Sequence, residues 1–75
     1  MNEPKAGEVY RYYKKGDHYR VVGVGRDSNT DEQVVIYEPL YENPAAKLSV
    51  RPLREWGEVV EWEGQKLVRF HKIDL

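Results

Sequence analysis

Six tyrosines and a set of arginines are the residues of this chain best equipped to recognise another molecule. Tyr10, Tyr12, Tyr13, Tyr19, Tyr37 and Tyr41, with Arg11, Arg20, Arg51 and Arg69, supply flat π-surfaces and planar cations. Such groups stack on nucleobases or anchor protein interfaces. If Tyr12, Tyr37 and Tyr41 share a face with Arg11 and Arg51, single-stranded RNA can stack on the rings while the guanidiniums reach phosphate. The same tyrosines can instead complete a small core, with only the hydroxyl reaching water. Arg51 beside Pro52 and Arg69 beside Phe70 suit a core least, unless they pair inside it with Glu38, Glu55 or Glu61. The binding candidates are therefore Arg11, Tyr12, Tyr37, Tyr41, Arg51 and Arg69. Replacing Tyr37 and Arg51 together by Ala is expected to abolish binding and leave the fold intact.

Other chemistries find less support. Asp27-Ser28-Asn29-Thr30-Asp31 with Glu38 in the twelfth position follows the ligand spacing of a calcium-binding EF-hand loop. The sixth position needs Gly for its sharp turn and holds Glu32, so an Asx-rich turn between strands is the favoured reading of Arg26 to Glu32. His18 and His71 lie far apart in sequence, no Ser sits in a nucleophile elbow, and Gly23-Val24-Gly25 is only half of a phosphate-binding loop. A chain of 8.9 kDa seldom encloses a pocket that excludes water around a substrate. The expectation is a protein that is not an enzyme and that carries no cofactor and no metal.

The elements that must position these side chains read as strands. Residues 1–7 are a loose lead-in without periodicity, and one domain is expected over residues 8–73. Val9 to Tyr13 is a strand by its Val and Tyr content, Lys14 to Asp17 a turn, and His18 to Gly25 a second strand. Its alternation predicts Arg20, Val22 and Val24 on one face and Tyr19, Val21, Gly23 and Gly25 on the other, and its glycines mark a bulge or a corner. Val34-Val35-Ile36-Tyr37-Glu38-Pro39-Leu40-Tyr41 is the longest apolar and β-branched run, so it is expected to be central and covered on both faces. Glu42 to Ala46 is a connecting loop. Lys47 to Arg51 alternates, which predicts Leu48 and Val50 inward and Lys47, Ser49 and Arg51 outward. Pro52 to Gly57 has the Pro-first, Gly-last asymmetry of a single helical turn, with Leu53 and Trp56 plugging the core. Val59 to Trp62 and Gln65 to His71 form a hairpin. Glu63 is a poor residue for positive φ, so a type I turn with Gly64 left-handed and a bulge is expected there.

Together these predict an all-β fold: a small SH3-like, partly open barrel or curled antiparallel sheet of five to six strands with one short helical turn. A chain of 75 residues without cysteine must rely on a small core, which leaves a homodimer open as a source of further burial. Residues 1–8 show no apolar signal-peptide region and no run is long enough to span a membrane, so the expected location is cytoplasmic. The net charge of -1 hides an uneven distribution: +3 over residues 1–26, -5 over residues 27–46 and +1 over residues 47–75. Nucleic-acid binders usually carry a clear basic excess, which favours a protein partner over RNA.

Tyr10-Arg11-Tyr12-Tyr13-Lys14-Lys15-Gly16, then Thr30, Val34-Val35-Ile36-Tyr37, Leu40-Tyr41, Val50-Arg51-Pro52-Leu53 and Arg69-Phe70, form a set that covers nearly the whole chain. It resembles a small bacterial family of conserved domains of unknown function that opens on Tyr-Arg-His-Tyr-Lys-Gly and carries Trp-Val-Arg-Pro. This chain departs from the pattern at Tyr12 and Asp27, where the family shows His, at Ser49, where it shows Trp, and by an extra Lys in the first turn. The resemblance implies an SH3-like fold similar to translation-associated modules and carries over no established activity. If either family histidine were catalytic, Tyr12 and Asp27 would leave this member inactive, which again speaks against an enzyme. The expected function is a non-catalytic interaction module for a protein partner. A module for single-stranded RNA comes second, and a small hydrolase or a cation-binding protein third.

Overall fold

Val21 and Val35 are the two most deeply buried side chains, and the fold is arranged to cover them. The computed structural model describes residues 3–42 and 47–73, so most of the expected Glu42–Ala46 loop lies outside the described residues. Seven strands and one helical turn follow in order: β1 (Val9–Tyr12), β2 (His18–Arg26), β3 (Gln33–Pro39), β4 (Ser49–Pro52), α1 (Leu53–Trp56), β5 (Val59–Trp62), β6 (Gln65–Val68) and β7 (Phe70–Ile73). A five-stranded antiparallel sheet has the order β4-β3-β2-β1-β7, and β5 pairs with β6 in a separate hairpin. The all-β expectation holds in its curled-sheet form, and the five-stranded sheet is open, with β4 and β7 at its edges.

The register places Tyr10, Tyr12, Tyr19, Val21, Val35, Tyr37 and Phe70 on one face. Here this is called the inner face. Trp56 from α1 closes over it, stacked on Phe70 with ring centroids 3.8 Å apart and meeting Tyr10 and Tyr37 edge-on at 5.2 and 5.0 Å. Aromatic side chains of this size dominate small cores because each buries a large area at low rotamer cost. Pro52 and Gly57 bound α1 as its ends, and Leu53 packs against the cluster as expected.

Four local expectations are corrected. The regular run in β3 is flanked on both sides, yet the middle strand of the sheet is β2. Within β2 the expected bulge is present and overturns the expected faces: Val21 pairs with Tyr37 and Gly23 with the next residue, Ile36, leaving Val22 as the extra residue. Val22 is thereby turned out to solvent, and Val24 joins the inner face opposite Val35.

The third correction is in β4, whose faces are the reverse of the expected ones. Arg51 lies opposite Val35 and points inward, while Leu48 and Val50 are 59% and 62% exposed. A shift of one residue inverts every side chain in a strand, and here the aromatic cluster accepts the guanidinium where hydrophobicity alone favoured Val.

The fourth correction concerns the C-terminal segment, which divides at Arg69: β6 pairs with β5, β7 with β1, giving seven strands instead of five or six. Trp62 pairs directly with Gln65, and both loop residues have positive φ, Glu63 at 51° and Gly64 at 77°. That is a two-residue type I′ connection. Its twist matches the flanking strands, and this outweighs the reluctance of Glu to adopt it. At the other end of the chain, Pro4 is buried and the Gly7 N–H donates to the Val21 carbonyl at 2.9 Å, so residues read as a lead-in are tied to β2.

Candidate functional site

The inner face gathers most of the candidate residues. Tyr37 is only 7% exposed and meets Tyr19, Trp56 and Phe70 at centroid distances of 5.4, 5.0 and 5.5 Å. Tyr12 is half-buried against Phe70 at 5.1 Å, and the Arg51 guanidinium lies over both rings, 5.8 Å from Tyr12 and 5.4 Å from Phe70. Arg51 also donates to Glu55 at 3.2 Å, one of the carboxylates expected as its partner. Burial opposes the Arg51 charge, but Tyr37, Tyr12 and Glu55 together outweigh it and hold its pKa above the usual value. Its Nε is buried with no hydrogen-bond partner among the described residues. Arg69 donates from Nε to the Glu55 carbonyl at 3.1 Å and from Nη2 to Glu58 at 2.8 Å. Tyr41 is partly exposed at the rim, its hydroxyl 3.1 Å from that of Tyr19. The aromatic and guanidinium groups thus build the core and its border, and Tyr37, Tyr12, Arg51 and Arg69 offer little free area.

Arg11 stands apart from them. Odd and even residues of β1 point to opposite faces, so Tyr10 and Tyr12 go inward and Arg11 outward. Arg11 lies opposite His18 on β2 and His71 on β7, which makes a row His18–Arg11–His71 across three adjacent strands. The outer two are about 9–10 Å apart, twice the strand spacing. Sequence separation hid this row, and a register for β1, β2 and β7 was the signal needed to find it. Arg11 and His71 line a cleft of about 310 Å³ with Tyr13, Lys66, Leu67 and Val68. Tyr13 meets Trp62 edge-on at 5.9 Å, and Lys14 sits 5.6 Å from the Trp62 ring.

Charge pairing sets this cleft apart. Arg20, Arg26, Arg51, Arg54 and Arg69 each face a carboxylate, and Lys72 faces Glu8. Arg11 is the one arginine with no carboxylate partner among the described residues, and Lys66 makes no ion pair among them, standing opposite Glu61 in the β5–β6 register. On the opposite face Glu8 accepts the Lys5 N–H, and this bond, with help from Lys72 and Tyr10, holds its carboxyl below the usual value.

The Arg26–Glu32 loop has engaged its carboxylates. Asp27 accepts from Asn29 N–H at 2.8 Å in an Asx turn, Asp31 pairs with Arg26, Glu32 with Arg54, and Glu38 with Arg20. Among the described residues no three carboxylate, histidine or cysteine side chains converge in a way that could hold a metal ion, and no helix is long and apolar enough to cross a membrane.

Known proteins place the chain. No curated protein matches it. A crystal structure of a DUF1653 protein from Bordetella bronchiseptica is similar, with a TM-score of 0.82 and 38% sequence identity over 97% of this chain and 87% of that one. The model of the family described as "protein of unknown function (DUF1653)" matches residues 8–72, and with nearly the whole curled sheet inside that match the chain belongs to the DUF1653 family.

Proposed function

We propose that this domain is a non-catalytic interaction module for a protein partner, with its contact surface at the outer-face cleft around Arg11. The observation that carries the reading is Arg11, without a carboxylate partner among the described residues, in a cleft lined by Tyr13, Leu67 and Val68 and by Lys66, which stands opposite Glu61 in the β5–β6 register. A free cation over an apolar and aromatic floor suits a partner surface that presents a carboxylate beside an apolar group. Of the six candidate residues, Arg11 is the one this reading retains as a direct contact; the other five hold the scaffold that aims it. Single-stranded RNA is the second reading. Its support is the Lys14–Trp62–Tyr13 arrangement beside the cleft, which offers rings for bases and a cation for phosphate.

The test is a tagged pull-down of the chain and its Arg11→Ala, Lys66→Ala variant, each with and without nuclease and at two salt concentrations. A defined protein partner that survives nuclease and is lost with the variant is the expected result. Recovery of RNA that falls steeply with salt would transfer the function to the second reading. Equal recovery by both forms would remove the cleft from the function.

A further inference from the structure

Within its own sheet Arg11 meets no acid. On the face of an antiparallel sheet a cation is stabilised by a carboxylate directly across from it. Arg11 stands across from His18 on one side and His71 on the other, and the next row of the outer face is Arg20–Val9–Ile73. Glu38, the acid that follows on β3, is taken by Arg20 at 3.4 Å. Arg11 and His71 are exposed and border the cleft, and as a directly opposed pair their Cβ atoms lie about 5 Å apart.

The cleft offers more donors than one carboxylate can use. Arg11 comes from β1, Tyr13 from just beyond it, Lys66 from β6 and His71 from β7, so donor side chains approach from several directions. A carboxylate has two oxygens in one plane, and a single guanidinium fork satisfies both. A phosphate monoester has three terminal oxygens and close to two charges, and it draws donors from several sides. The cationic set is also local. Arg20, Arg26, Arg51, Arg54, Arg69 and Lys72 face carboxylates, and Lys66 has Glu61 opposite. One doubly charged group matches that set, whereas a chain of phosphates gains affinity contact by contact and meets mainly paired cations beyond the cleft.

Resting on the interaction-module reading, we infer that the cleft receives a phosphorylated side chain of the partner. The Arg11 guanidinium takes two of the phosphate oxygens through its planar fork, the His71 ring donates an N–H to the third, and Lys66 adds charge from across the cleft. Leu67, Val68 and the Tyr13 ring cover the apolar stem that carries the phosphate. The fork is borne by a fixed backbone, because Tyr10 and Tyr12 on either side of Arg11 are held by Trp56 and Phe70. Binding is non-covalent and leaves the phosphate ester intact.

NMR titration of the whole chain with phenyl phosphate tests it, read at the Arg11 Nε–H and the His71 ring. The expected result is saturable shifts at both, absent with phenol, and binding severalfold tighter than that of phenylacetate. Arg11→Ala should weaken it by about tenfold, the loss of one charge-assisted hydrogen bond. Glu61→Gln, which removes the acid opposite Lys66, should strengthen it by about twofold. The peptide Ala-Val-phosphotyrosine-Val-Ala should bind more tightly than phenyl phosphate. If it binds no more tightly, the cleft belongs to a free phosphate ester and the partner's side chain is overturned. Phenylacetate binding as well as phenyl phosphate would overturn the phosphate and leave the interaction module with a carboxylate partner. Binding indifferent to Arg11 would overturn both readings. Tighter binding of oligouridine than of the phosphopeptide would assign the cleft to RNA, and no shift at millimolar phenyl phosphate would end the inference.

Discussion

Replacing Tyr37 by Ala should unfold this domain, the reverse of what the residue's type suggested in sequence. Tyr37 is 7% exposed, and its ring lies against Tyr19, Trp56 and Phe70 at 5.0 to 5.5 Å. Removing a buried aromatic ring costs about 3–5 kcal/mol, because the lost transfer free energy adds to the cavity left behind. A domain of this size holds roughly 3–5 kcal/mol in all, so the variant is expected to sit near the midpoint of unfolding without denaturant. Urea titration followed by fluorescence of Trp56 and Trp62 reads this directly. With a slope of about 1 kcal/mol per molar urea, the midpoint should fall by roughly 3 M or more and the folded baseline should vanish. Tyr37→Phe keeps the ring and removes only the hydroxyl beside Arg51, which should cost about 1 kcal/mol. Arg11→Ala, on the exposed outer face, should leave the midpoint within about 0.5 kcal/mol of the parent. A Tyr37→Ala chain that kept its urea midpoint within about 1 M would refute the assignment of this ring to the core, and would restore Tyr37 as a surface contact.

Further outcomes follow from the turn and from the tyrosines. Glu63 holds φ at 51° in the type I′ turn, so Glu63→Asn should stabilise the hairpin by about 0.5–1 kcal/mol, raising the thermal midpoint by several degrees. No rise on scanning calorimetry would mean that the strain is offset elsewhere. Burial first, and then the Glu8 carboxylate, push the Tyr10 pKa up to about 12. The folded state thus keeps a proton that the unfolded chain loses near 10, so this contribution to stability is complete below pH 10 and is lost as pH rises toward 12. Absorbance near 295 nm should show Tyr10 ionising near pH 12 or together with unfolding, with Tyr19, raised further by burial and the Tyr41 hydroxyl, ionising later still, and Glu8→Gln should lower the Tyr10 pKa. Trp56→Leu should cost about 2–4 kcal/mol by removing the stack on Phe70, a loss that chemical denaturation will show.

The strands were legible wherever local chemistry speaks for itself. Val and Tyr in β1, the long apolar run of β3, the Asx turn at Asp27 and the Pro52–Gly57 helical turn all stand where composition and turn residues put them. What failed was the choice of face. In β4 the pattern of Leu48 and Val50 against Ser49 and Arg51 gives the correct period and the wrong phase, because phase is set by partners on other strands. Arg51 enters because Tyr12, Phe70 and Glu55 together replace part of what water gave its charge, and those three residues lie between 4 and 39 positions away in sequence. No local window contains that information. The turn at Glu63-Gly64 failed for a related reason: the twist of the hairpin dictated the conformation, and the cost of positive φ at one Glu was too small to change it.

The burial of Tyr37, Arg51 and Phe70 in one cluster has the same physical reason, and it has a direction. Aromatic and guanidinium side chains can grip a partner, but in a domain of 75 residues with one phenylalanine and two tryptophans, the tyrosines are also the main large side chains available to fill a core. Small size makes the interior compete with the surface for them. The residue that escaped this competition is Arg11, placed outward between two inward tyrosines by the two-residue period of β1. Because Tyr10 and Tyr12 are held by Trp56 and Phe70, the backbone that carries Arg11 is fixed, and its guanidinium is presented from a rigid strand. The aromatic core and the cationic cleft are thus two faces of one strand, so a substitution at Tyr12 should weaken the cleft through loss of its support, whereas one at Arg11 should weaken it without disturbing the core.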